Sequence, residues 1–498
     1  MILNLVSLFI VVPQLSGVPS IYGIYSICVS ATIFLSYADL GFISACYKYA
    51  SESFAKKDTV GEVKISAFGI FILIIFITLL SGIFFILSLK PEVLIKGLES
   101  DGHSIASNLF LILSLSSFSV ILQRMLQIIF GIRLKDYLYQ RINIISSLIK
   151  ITSVLYFFRD GEYNIVGYFF FIQLMNYISA FIGLWIARKK FNYDFILFIK
   201  QIKYSKEVYQ KTKNLAISSL IVTILWILYY ELDSFAIAKL MGSTQVAFYA
   251  VGFALMTFLR SIFGTIYAPF VARFNHFIGL NDMEGLKKFY IQIILFTLPI
   301  VLLPVLSLII FMKLFIVSWV GFNYNISIDI GIFLMLCYII SFISYPAGIL
   351  MTALVKLKSL YIMNITIVII YWGGILLTMN ILGIESFAIF KFAAFLISGI
   401  YCVFFSAKFL QLNLFQFLKK IIQPSILPII SAVLILFFIR NFIPISEEKI
   451  NMFYSIISGG FALIIFLLIY YFTCISFKEY CNYLFAKVNS YFLKLKNE

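Results

Sequence analysis

From Ile65 to Leu89 the chain reads ISAFGIFILIIFITLLSGIFFILSL, without one charged side chain. A helix needs about 20 apolar residues to cross the hydrocarbon core of a bilayer. Runs of that kind recur from end to end of the 498 residues. In lipid only α-helices and closed barrels satisfy their own backbone polar groups. Barrel strands alternate in polarity over about 10 residues, and these runs do not alternate. Charged residues make up 12% of the chain, about half the share found in a soluble domain. The expected fold class is all-α integral membrane.

Fourteen spans are expected, at about 1–15, 21–46, 65–89, 105–131, 141–158, 165–187, 214–240, 245–271, 288–313, 326–352, 358–381, 384–409, 424–443 and 453–475. The first is short for a bilayer, so it is either a half-span or the end of a segment that starts upstream of Met1. No positive stretch precedes it and no small-residue cleavage pattern follows, which favours a span over a cleaved signal peptide.

Orientation follows from Lys and Arg, which are enriched in cytoplasmic loops. With the N-terminus inside, the cytoplasmic loops and C-terminal tail hold 27 of them, and the outer loops hold only Lys90, Lys96, Arg159, Lys313, Arg440 and Lys449. Both termini are thus expected in the cytoplasm. The same bias accounts for the net charge of +16 without invoking nucleic acid. The six cysteines, Cys28, Cys46, Cys337, Cys402, Cys474 and Cys481, form no C-x-x-C and read as small apolar residues, not a disulfide or zinc framework. Segments 189–213, 411–420 and 476–498 are amphipathic, with lysines around an apolar face such as Phe477, Tyr480, Leu484 and Val488. That pattern suits helices lying on the inner leaflet.

Laid over itself at an offset of 224 residues, the chain shows an internal repeat. YSICVSATIFL from Tyr25 meets YAVGFALMTFL from Tyr249, and AKKDTVGEVKI meets GLNDMEGLKKF, pairing Asp58 with Asp282, Gly61 with Gly285 and Lys64 with Lys288. Six spans per copy give both copies the same orientation, a transporter design with substrate held between lobes. The expected organisation is a first six-helix lobe (1–187), a cytoplasmic linker helix (188–213), a second six-helix lobe (214–410), a two-helix appendage (411–475) and a cytoplasmic tail (476–498).

The sequence carries no G-x-x-x-x-G-K-[ST], the phosphate-cradling loop of P-loop ATPases. Its loops are short and bring no pair of carboxylates or histidines together, which disfavours an enzyme. The chemistry lies in the membrane, where an ionisable residue is costly and by default faces a cavity, a partner or a path. Arg124, Lys150, Lys239, Arg260 and Lys391 are the cations there, and Asp39, Glu231 and Asp233 the acids. Lys239, near the end of its span, has snorkelling to the headgroups as its simpler reading. For Asp39 the simpler reading is stabilisation of a helix end, and for Arg124, towards the inner end of its span, it is snorkelling to the headgroups. Pairing with Glu231 or Asp233 is the simpler reading for Lys150 and Arg260. The surplus of positive charge calls for an anion, and the arginine fork suits phosphate. On these grounds the cargo is a large anionic amphiphile.

YGIYSICVSATIFLSYADLGFISACYKYASE resembles the opening of the bacterial polysaccharide and O-antigen flippases. These lipid-linked oligosaccharide exporters belong to the MOP superfamily, with the MATE drug exporters and the lipid II flippases. LDSFAIAKLMGSTQVAFYAVGFALM, YAPFVARF and GILMTALVKLKSLYIMN resemble the family's seventh span, the end of its eighth and its loop after the tenth. The resemblance covers most of residues 5–410. It implies a MATE-like inverted V of two lobes around a basic cavity and undecaprenyl-pyrophosphate-linked oligosaccharide as cargo. It further implies coupling to a proton or sodium gradient with no cofactor, and a bacterial inner-membrane location alongside polysaccharide-assembly proteins. Arg124, Lys150, Arg260 and Lys391 are then the candidate substrate-binding residues, and Asp39, Glu231 and Asp233 the candidates for coupling or internal pairing. The short first span and one extra residue before Tyr22 depart from the family pattern and the repeat. A MATE-type antiporter of cationic drugs and a membrane-embedded glycan-processing enzyme are the alternative readings.

Overall fold

The computed structural model describes residues 2–159, 161–354, 356–479 and 481–482. Every regular element among them is helical, as the lipid argument requires. Ten helices are long and apolar enough to cross a membrane, and Ile326–Leu336 with Ser341–Ala353, bent by 50°, makes an eleventh if taken as one span. Each of the fourteen expected segments falls on a helix or a broken pair of helices. α1, the α2–α3 pair and α7 below lie outside that test of length and composition.

The chain divides into two compact units, Met1–Ala250 and Val251–Glu498. The first holds α1 (Ile2–Leu15), α2 (Pro19–Leu35), α3 (Phe42–Ala55), α4 (Thr59–Leu89), α5 (Ser100–Ser116), α6 (Phe118–Ile132), α7 (Asp136–Phe157), α8 (Ile165–Phe191), α9 (Phe195–Lys200), α10 (Lys206–Tyr230) and α11 (Asp233–Met241). In it α3 packs on α4, α6 and α10, α2 on α5 and α11, and α8 on α5, α6 and α7. α12 (Ser243–Gly279) begins in the first unit and continues into the second. The second holds α13 (Met283–Val320), α14 (Ile326–Leu336), α15 (Ser341–Ala353), α16 (Leu357–Leu382), α17 (Glu385–Phe409), α18 (Leu414–Arg440) and α19 (Lys449–Thr473). There α13 is the central helix, packed on α14, α15, α18 and α19. Ile310 and Phe311 of α13 meet Leu436 of α18 and Ala462 of α19 in one buried cluster. The outward faces stay apolar: Leu377 and Ile381 on α16 are more than four-fifths exposed, a surface suited to lipid and not to water.

The repeat is visible in local geometry. At 57 and 281 the backbone turns left-handed, with φ +61° at Lys57 and +54° at Asn281. The next residue in each copy caps a helix: Asp58 accepts from the Gly61 amide at 2.8 Å and Asp282 from Gly285 at 2.8 Å. The turn is closed alike, by Asp58 N–H to Ser53 O and Asp282 N–H to Phe277 O, both 3.0 Å. Farther on, the spans formed by α5–α6 and α14–α15 break at matching places. Ser117 Oγ donates to Ser114 O at 2.7 Å, and Ser341 Oγ donates to Tyr338 O at 2.6 Å. A serine hydroxyl that takes up a backbone carbonyl competes with the helix ladder and bends it.

Two expected surface helices differ from the sequence reading. Residues 188–213 are not one helix. α8 runs to Phe191, Asn192 turns left-handed at φ +48°, and Asp194 caps the six-residue α9 through the amides of Ile196 and Leu197. Ser205 then caps α10. Three polar side chains that favour caps and turns thus divide a segment whose apolar spacing alone reads as continuous. Residues 414–420 belong to α18, which starts at a cap made by Asn413. The amphipathic tail lies, beyond Asn482, outside the described residues.

Candidate functional site

The second expected span does not continue as one helix. In YADLGF, Leu40 and Gly41 are both left-handed, at φ +49° and +78°, and α2 stops at Leu35. A Cβ on Gly41 would lie 2.7 Å from Ser219 Cβ and 2.8 Å from Ala216 O of α10, so glycine is required by both backbone and packing. The corresponding stretch of the second copy, 260–265, is uninterrupted helix in α12. The break belongs to the first copy alone.

Two charged residues serve the ends of this break. Asp39 Oδ2 accepts from the Ile43 amide at 3.1 Å, placing a carboxylate on the N-terminal turn of α3, where the helix dipole favours it. Arg124 of α6 donates to Ser36 O, the C-cap carbonyl of α2, and to Gln127 Oε1 at 2.7 Å. That carbonyl is among the groups a helix end leaves without an internal partner. The Arg124 charge also acts on the Asp39 carboxylate. One acid and one base therefore hold the two cut ends of a span.

A second break lies beside the first. α10 ends at Tyr230 and α11 begins at Asp233, with Glu231 as the C-cap of α10. Both acids are about 2% exposed or less. Tyr249 Oη donates to Asp233 Oδ2. The broken pairs run alongside each other: Ser30 Oγ donates to Ser234 Oγ at 3.0 Å, and the Tyr37 and Trp226 rings stand 4.9 Å apart. Asp39, Glu231 and Asp233 thus sit at breaks in two neighbouring helix pairs of the first unit.

The remaining cations have other settings. Lys150 of α7 is half-buried and donates to Asn176 Oδ1 of α8 at 2.5 Å, and Asn176 Nδ2 donates to Gln173 Oε1 at 2.9 Å. Its hydrogen-bond partner is a neutral amide, not a carboxylate. Lys239 is exposed and donates to Val93 O at 2.6 Å. In the second unit Lys391 is 1% exposed, its Nζ 4.9 Å from the centre of the Phe253 ring and 5.1 Å from that of Tyr371. Arg260 is half-buried near the middle of α12.

Sequence reasoning missed two groups. Glu62, 1% exposed, receives both terminal nitrogens of Arg133 at 2.8 and 3.2 Å. Both lie at loop edges, where charges read as solvated. A polar cavity of about 520 Å³, lined by α6 and α7 beside the break, also went unread. Its signal is the spacing of Gln123 and Gln127, four apart, and of Gln140 and Asn143, three apart. Each pair falls on one face of its helix.

No protein-family model and no curated protein matches the chain. Solved structures do. A lipid II flippase MurJ in an inward closed conformation superposes with a TM-score of 0.72 at 17% identity, covering 94% of this chain and 97% of that one. An inward-facing multidrug resistance MATE family transporter of the MOP superfamily gives 0.64 at 15%, covering 82% and 98%. A MATE in complex with MaL6 gives 0.51 at 12%, covering 82% and 96%. At these identities the likeness is one of fold: this is a multi-pass, all-helical membrane chain with the architecture of MOP-superfamily transporters.

Proposed function

We propose that the protein is a flippase that carries undecaprenyl-pyrophosphate-linked oligosaccharide, a surface-polysaccharide repeat unit, from the cytoplasmic to the outer face of a bacterial inner membrane. It works by alternating access and carries out no chemistry on its cargo. The observation that carries this reading is Lys150, a cation at membrane depth whose hydrogen-bond partner is a neutral amide chain, Asn176–Gln173. An ammonium desolvated without a carboxylate is costly, and an anionic cargo supplies the missing charge. Arg124, Arg260 and Lys391 are assigned with it to the pyrophosphate or to acidic sugars. Asp39, Glu231 and Asp233 are assigned to ion coupling or internal pairing.

The test is complementation of a strain lacking its polysaccharide flippase. Arg260→Ala and Lys150→Gln are expected to abolish surface polysaccharide while protein levels stay normal. Normal polysaccharide in both variants overturns the site assignment. Export of a cationic dye by the wild-type protein, with no glycan translocation, replaces this reading with drug antiport.

A further inference from the structure

We infer that the cavity between the α2–α3 break, α6 and α7 is a binding pocket for an uncharged polyhydroxyl group, one or two sugar rings of the cargo. The inference rests on the flippase reading for the cargo's identity, but the pocket is built from the first unit alone.

Three classes of occupant make different demands on such a cavity. An apolar tail needs apolar walls, and this one is lined by Gln123, Gln127, Gln140 and Asn143 together with Tyr47 and Tyr139. A phosphate needs a surplus of positive charge. Here the one cation, Arg124, is matched by one anion, Asp136, and its guanidinium already donates to Ser36 O and Gln127 Oε1. A sugar needs donors and acceptors interleaved, because each hydroxyl both gives and takes a hydrogen bond. Carboxamides offer both, and those of Gln123, Gln140 and Asn143 take part in no hydrogen bond among the described residues. The volume, about 520 Å³, falls within the range of small-molecule sites.

The place in the fold agrees. Gln140 and Asn143 lie in the first turns of α7, just after the Arg133–Lys135 loop, which the charge bias puts on the cytoplasmic side. A sugar pocket there is reached from the side on which the cargo loads.

The experiment uses the full-length protein in lipid nanodiscs and saturation-transfer NMR. N-acetylglucosamine and glucose at millimolar concentration are the probes, and inorganic pyrophosphate, which has no C–H protons and is followed by the line width of its phosphorus resonance, is the charged control. The wild-type protein is expected to transfer saturation to the sugar ring protons. Gln123→Leu/Asn143→Leu is expected to weaken sugar binding about tenfold, with the pyrophosphate response unchanged. Gln140→Leu, at an exposed position on α7, serves if the double variant fails to fold, and a several-fold loss is expected. Equal sugar signals in wild type and variants, or none in the wild type, overturn the pocket. Translocation of lipid-linked glycan in vesicles is measured in parallel. Translocation without sugar binding sinks the pocket alone, and sugar binding without translocation sinks the flippase reading alone.

Discussion

Arg133 and Glu62 form a two-pronged ion pair whose carboxylate is almost wholly buried, the side chains 13% and 2% exposed. The guanidinium is flanked by the rings of Phe54, Tyr193 and Phe191 at 5.0, 5.0 and 5.6 Å. One pair thereby gathers α3, α4, α6, α8 and the start of the linker at a single point. Aromatic faces favour a cation electrostatically, and the two parallel bonds fix its orientation.

Removing either partner leaves the other charge buried and alone. Glu62→Gln or Arg133→Met is expected to destabilise the protein by about 3–5 kcal/mol. The double change Glu62→Gln/Arg133→Met is expected to cost less than the two single losses summed. Denaturation of the four proteins in one detergent gives the coupling; additive losses would show that the pair contributes nothing beyond its members.

The matched caps make a comparative prediction. Asp58→Ala and Asp282→Ala are each expected to cost about 1 kcal/mol, nearly equally, because each acid satisfies one amide in the same turn. Asn at either position is expected to retain most of that stability. Thermal melts of the four variants check this, and markedly unequal losses would deny the shared turn.

Gly41 carries both a left-handed φ and a tight approach to α10. Gly41→Ala is expected to destabilise by about 1–3 kcal/mol. Ser219→Gly placed alongside it is expected to restore only part of the loss, since it relieves the clash with the side chain and leaves the backbone strain. Full rescue would mean that packing alone keeps glycine there.

Tyr193, in the linker, predicts a pH dependence. Burial first, and then the Glu62 charge, push its phenol above the ordinary value of 10.0. A group raised on folding gives stability that is complete below its unfolded value and lost as the pH climbs through the folded one. Wild-type stability is therefore expected to fall above about pH 10, and Tyr193→Phe to fall less over the same interval. Melting temperatures at pH 8 and pH 11 decide it; parallel losses would show that Tyr193 does not titrate against the fold.

Lys391 separates charge from packing. Lys391→Met keeps an unbranched side chain between Phe253 and Tyr371 and removes the ammonium. Stability is expected to change by about 0.5–2 kcal/mol, the worth of the ring contacts, while complementation is lost. Retained complementation would take Lys391 out of the cargo path.

The helical membrane class and the repeat were legible along the chain, because both rest on local physics. Lipid demands that each span satisfy its own backbone within about 20 residues, so an apolar run names its conformation without knowing its neighbours. A cap such as Asp58 on Gly61 or Asp282 on Gly285 spans three residues and is equally self-contained. Asp39 was legible as a misplaced charge and as a candidate helix-end stabiliser. Its task at a break also depends on Gly41, whose fit is decided by α10 more than 170 residues on. The partners of the other charges came only with the fold: Arg124 with Ser36 O across 88 positions, Arg133 with Glu62 across 71, and Lys150 with an amide instead of an acid. The free energy of a desolvated charge depends on which groups face it through space, and spacing along the chain does not encode those groups.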